Sequence, residues 1–99
     1  MVQNAFITCP SGIWTKLNNA DLAGDLSIAL IDGAVVLQAS AAATLPDADA
    51  NEGLPLLSHG DGWSEATILE KFPGVTGADN LFAKPLHGTS ARVYITHGA

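Results

Sequence analysis

Leu26-Ser27-Ile28-Ala29-Leu30-Ile31-Asp32-Gly33-Ala34-Val35-Val36-Leu37-Gln38-Ala39 is the stretch whose reading decides the fold. Two apolar runs flank Asp32-Gly33, and Asp-Gly favours a two-residue type I′ turn, in which both central residues need positive φ. The expectation is a β-hairpin. Pairing outward from the turn sets Leu30 opposite Val35, Ile28 opposite Leu37 and Leu26 opposite Ala39. Side chains alternate along a strand and paired residues share a face, so these six form the expected core face. The opposite face holds Ser27, Ala29, Ile31, Ala34, Val36 and Gln38, with no charge among them. A solvent-washed antiparallel face normally carries Lys, Glu or Thr. Either the rest of the domain covers this face or a neighbouring subunit does. The second alternative makes Ala29, Ile31, Ala34 and Val36 interface candidates. Val2 joins them, because an N-terminal arm over 2–6 could add a strand to a neighbour.

Around the hairpin, Gly and Pro cut the chain into short segments, as an all-β sandwich or barrel requires. A strand is expected over 2–8, ended by Cys9-Pro10-Ser11-Gly12, and another over 13–17, carrying Trp14. Residues 40–53 mix alanine with acids and turn formers and read as an exposed loop. A short strand over 54–58 has Pro55 near its start, which suits a sheet edge. The segment 63–71 fits a strand with Trp63, Glu65, Thr67 and Leu69 on one face, or a helix capped by Ser64. Flanking glycines and β-branched Thr67 and Ile68 favour the strand. A strand over 80–84 is closed by Pro85. In the last, over 90–96, Ala91, Val93 and Ile95 point one way and Arg92, Tyr94 and Thr96 the other. Seven or eight short antiparallel strands, without repeats or a linker, make one β-sandwich or jelly-roll-like domain over 1–99.

Size and charge bound the function. The chain has 99 residues, and area scaling gives roughly 5,300 Å² of folded surface against roughly 14,800 Å² unfolded, enough burial for one modest core. Hydrophobic residues make up 47% and charged residues 14%, the reverse of a disordered tail. Ten acids against four cations give a net charge of −6, which argues against nucleic acid as a partner. The longest mostly apolar stretch, 26–43, is interrupted by Ser27, Asp32, Gly33, Gln38 and Ser40, so no membrane span is expected. Residues 1–12 have neither the positive nor the apolar region of a signal peptide, and synthesis in the cytosol is the expectation. The single Cys9 has no disulfide or zinc partner.

The sequence has little that points to chemistry. No G-x-S-x-G elbow, Gly-Lys phosphate loop or dinucleotide fingerprint occurs. His59, His87 and His97 stand apart, and His59 with Asp61 is too small a set for a metal site; the glycines beside them serve a tight turn equally well. The run Asp47-Ala48-Asp49-Ala50-Asn51-Glu52 alternates oxygen ligands but lacks the order of a calcium loop. The expectation is therefore a protein that is not an enzyme and uses no cofactor or metal. Trp63, directly after a Gly-rich turn, is the candidate for stacking on a sugar; packing in the core is the other reading of it.

Ser11-Gly12-Ile13-Trp14-Thr15-Lys16, the segment around Asp32-Gly33, Gly62-Trp63, Asn80-Leu81-Phe82-Ala83-Lys84 and the ending from Ala91 to His97 share a cadence. In it the chain resembles small all-β virion proteins of tailed bacteriophages, the capsid decoration or cement proteins and the accessory domains of spikes and tail fibres. The likeness covers most of the chain, in style rather than in a diagnostic motif. It implies a structural protein of the virion, made in the host cytoplasm. Its partners would be the major capsid protein or other virion proteins, and it would form a homo-oligomer, with trimers favoured. A carbohydrate- or receptor-binding module of a spike or fibre is the alternative, in which Trp63 and the acidic run 47–52 matter. A host-side interaction domain is a third.

Overall fold

The computed structural model describes residues 3–18, 25–41, 45–46, 50, 52–75, 77, 79–86 and 88–97. Among them run eight strands and one helical turn: β1 (Gln3–Cys9), β2 (Thr15–Lys16), β3 (Asp25–Asp32), β4 (Val35–Ser40), β5 (Leu54–Leu56), β6 (Gly62–Thr67), α1 (Ile68–Lys71), β7 (Asn80–Pro85) and β8 (Ala91–His97). The strands form two four-stranded sheets, a front sheet in the order β1-β8-β3-β6 and a back sheet in the order β2-β7-β4-β5. Every pairing is antiparallel. β1 pairs with β8, β2 with β7, β3 with β6 and β4 with β5, so the chain is one long doubled ribbon. Pairing of β3 with β8 and of β4 with β7 rolls that ribbon up. This is the jelly-roll form of the β-sandwich.

The expected hairpin is corrected here. β3 and β4 lie in different sheets, and Asp32-Gly33 is an arch between them. Leu30 pairs with Val93, Ile28 with Ile95 and Leu26 with His97. Val35 pairs with Pro85, Leu37 with Ala83 and Ala39 with Leu81. Gly33 alone of the turn pair is left-handed, at φ 78°, so no type I′ turn forms. A Cβ on Gly33 would stand 2.9 Å from the Ala91 Cβ, which reserves the arch for glycine twice over. The core face was nevertheless read correctly. Leu26, Ile28 and Leu30 from the front sheet and Val35 and Leu37 from the back sheet are buried in one cluster with Leu81, Val93 and Ile95. Alternation sends the same side chains inward whether two strands pair or face each other across a sandwich.

Two further expectations change. The segment 63–71 is strand and then helix: β6 bulges at Glu65, whose φ is 51°, and turns into α1 at Ile68. Thr67, not Ser64, caps that turn. Its Oγ1 accepts from the Glu70 N–H (3.1 Å), and the Glu70 carboxylate accepts from the Thr67 N–H (3.0 Å). This is the Thr-x-x-Glu capping box, a signal present in the sequence. The second change is confined to Ala50 in the loop 40–53, where Ala41, Leu45, Glu52 and Gly53 are exposed as expected. Ala50 packs on the outer face of the back sheet, against a second cluster of Trp14, Val36 and Phe82. Asp47, Asp49 and Asn51 of the acidic run lie outside the described residues, and Glu52 is exposed.

Candidate functional site

The uncharged face predicted for a hairpin is divided by the arch between two outer faces. Ala34 and Val36 fall on the back sheet, where both are buried within the chain. The Ala34 carbonyl accepts from the Leu86 N–H at 3.0 Å, and Val36 lies beneath Trp14 and Ala50. Two long side chains of the same face hold the covering segment by its backbone. Gln38 Nε2 donates to the Glu52 carbonyl (2.7 Å) and Lys84 Nζ to the Ala50 carbonyl (3.1 Å). An apolar face interleaved with such donors can be roofed without leaving the loop's carbonyls unsatisfied.

Ala29 and Ile31 fall on the front sheet and are half-buried. Register places Ala29 beside Tyr94 and Tyr94 beside Phe6, one uncharged row across three strands. Phe6 is 61% exposed, with its ring centroid 5.2 Å from that of Tyr94. The Arg92 guanidinium lies 5.5 Å from the centre of the Phe6 ring. Aromatic pairs and cation–π contacts of this kind hold the rings in place at an exposed surface. The sequence reading did not single out Phe6 or Arg92. Strand alternation already turns Phe6 away from Ala5 and Ile7, but only the pairing of β1 with β8 sets it against Tyr94. Val2 lies outside the described residues.

Trp63 belongs to a different surface. It is half-buried at the edge of the front sheet, packs against the main core and meets Phe72 edge-on at 6.5 Å. The Lys71 ammonium lies 5.8 Å from the indole ring, and the indole Nε1 is buried without an acceptor among the described residues. A cleft of about 420 Å³ opens here between β5 and β6, lined by Leu54, Leu56, Asp61, Trp63, Glu70 and Lys71. Its two acids are already engaged. Asp61 accepts from the N–H groups of Ser58 and Leu57, both at 2.9 Å, which hold its carboxyl below the usual range. Glu70 is held low by the Thr67 N–H and hydroxyl. Carboxylates stabilised in the ionised form are poor proton donors.

Of the remaining candidates, His59 and Cys9 serve the fold. His59 places Nδ1 2.9 Å from the Ile31 carbonyl, tying the 58–61 turn to β3. Cys9 is fully buried at the end of β1. Burial pushes its thiol up to about 11 despite a hydrogen bond to Thr15, so it is protonated and unreactive at neutral pH. His97 is buried at the end of β8, and His87 lies outside the described residues. Among the described residues no three His, Cys, Asp or Glu side chains gather as a metal site. No protein-family model, curated protein or solved structure matches the chain.

Proposed function

We propose that this chain is a non-enzymatic structural protein of a phage virion, one that decorates or cements the capsid. The observation that carries the reading is the open outer face of the front sheet, where Phe6, 61% exposed, stands in an uncharged row with Tyr94 and Ala29. Jelly rolls serve as viral capsid domains and as lectins. The virion cadence of the sequence favours the first. Docking would bury the exposed part of Phe6 against the shell, which contributes roughly 1–2 kcal/mol per copy. A ligand that binds only the assembled shell stabilises it by mass action. The net charge of −6 favours the solubility of free copies. In the test, purified protein is added to shells that lack it, which are then sedimented and heated. The expected result is co-sedimentation and a raised shell melting temperature, both lost with Phe6→Ser. Shells that neither bind the protein nor melt differently overturn the proposal.

The cleft beside Trp63 favours a second reading, a carbohydrate- or receptor-binding module. An indole at a concave edge, next to polar groups, is suited to a sugar ring. A glycan screen with Trp63→Ala as the control tests it. Absence of binding to every glycan removes it.

A further inference from the structure

We propose that two copies of this chain associate through the free edge of β1, antiparallel about a two-fold axis at Phe6. Four strands end the two sheets, β1 and β6 in front and β2 and β5 behind. Three of them carry features that discourage a further strand. β2 has two residues, β5 has three with Pro55 at its centre, and β6 is broken by the left-handed bulge at Glu65. β1 differs: it has seven residues, QNAFITC, with no proline and no charge, and its ladder with β8 runs through all seven without a bulge. Among the described residues only β8 pairs with it, so its other side presents backbone donors and acceptors to a partner.

The strand's own register fits a second copy as that partner. Antiparallel self-pairing about Phe6 engages the backbone of all seven residues of β1 and keeps Ala5 and Ile7 on one face and Phe6 and Thr8 on the other. Phe6 then meets its symmetry mate, and Ala5 meets Ile7. Slipping by one residue would oppose side chains of opposite faces. The aromatic row grows to Tyr94 and Phe6 followed by their mates, and Arg92, one strand inward beside Thr8, lies two residues off the axis and away from its own kind. The two front sheets merge into one of eight strands. Seven residues span roughly 24 Å. With a sandwich about 20 Å thick, the contact covers roughly 1,000 Å² in total, the lower limit for a stable interface. The dimer is therefore weak and reversible.

The test is solution mass by sedimentation, from low micromolar to millimolar protein. The expected result is a shift from 10.2 kDa towards twice that mass. Phe6→Lys puts two cations on the axis at an exposed position; it stays folded and remains a monomer throughout. Phe6→Cys cross-links into a covalent dimer on oxidation, whereas Thr8→Cys, opposite Asn4, does not. A parent chain that stays monomeric, a mass of three copies, or a Phe6→Lys chain that still dimerises overturns the proposal. The outcome is separable from the docking reading. A monomer that co-sediments with shells overturns only the dimer, and a dimer that ignores shells overturns only the docking.

Discussion

The back sheet buries Trp14, Val36 and Phe82 on its outer face beneath Ala50 and Leu86, while the front sheet leaves Phe6 61% exposed on its own. Both faces carry aromatic and aliphatic side chains, so hydrophobicity does not separate them. The polar residues between them do. Gln38 and Lys84 reach up from the back sheet to backbone carbonyls of the covering segment. On the front sheet Ser27 spends its Oγ on the Glu65 N–H of the neighbouring strand, at 3.0 Å, and Arg92 lies across Phe6. One face is equipped to hold its own roof; the other is equipped to present its aromatic rings.

That difference can be broken most violently at Phe82. It is fully buried on the covered face, and Phe82→Ala is expected to cost about 3–5 kcal/mol by removing a large side chain from a packed cluster. Urea denaturation measures this. A loss below about 1 kcal/mol would mean that the roof does not pack as a core.

Next comes Gly33, which makes the two faces separate by sending β4 to the back sheet. Gly33→Ala places a side chain in a left-handed conformation against Ala91, with an expected cost of about 1–3 kcal/mol. The same denaturation experiment reads it, and a neutral result would show that the arch can relax away from Ala91.

Gln38→Ala is milder. It removes one side-chain bond to the roof, worth about 0.5–1.5 kcal/mol, and leaves the apolar cluster intact. The informative measurement is amide hydrogen exchange, which is expected to speed up at Ala50, Glu52 and Gly53 and not over β7. Uniform change across the domain would mean that the roof and sheet open together.

How much of this was legible beforehand follows from the range of each interaction. Leu26, Ile28, Leu30, Val35 and Leu37 could be assigned inward because alternation is local and holds for a hairpin and an arch alike. The partners of β3 could not be assigned, because β6 and β8 lie more than thirty residues away and Asp32-Gly33 carries a local hairpin signal. Thr67 to Glu70 held a readable capping box, outweighed by the β-branched residues around it. At the candidate site, the outward turn of Phe6 and Tyr94 was within reach of alternation. Their meeting depends on pairing the two ends of the chain, which periodicity does not encode.

The smallest effect on stability is expected at Phe6, and that small effect is the sharpest contrast with Phe82. The two phenylalanines sit on outer faces of the same sandwich. Phe6 already keeps most of its ring in water, so Phe6→Ser gives up little burial on folding and should lower the unfolding free energy by about 0.5–1 kcal/mol, through the lost contacts with Tyr94 and Arg92. The same substitution should abolish shell binding, because the exposed ring has burial still to gain. Measured together, melting and co-sedimentation separate a side chain that holds the fold from one that serves a contact. If Phe6→Ser unfolded the protein as Phe82→Ala does, the open face would be part of the core and both proposals built on it would fail.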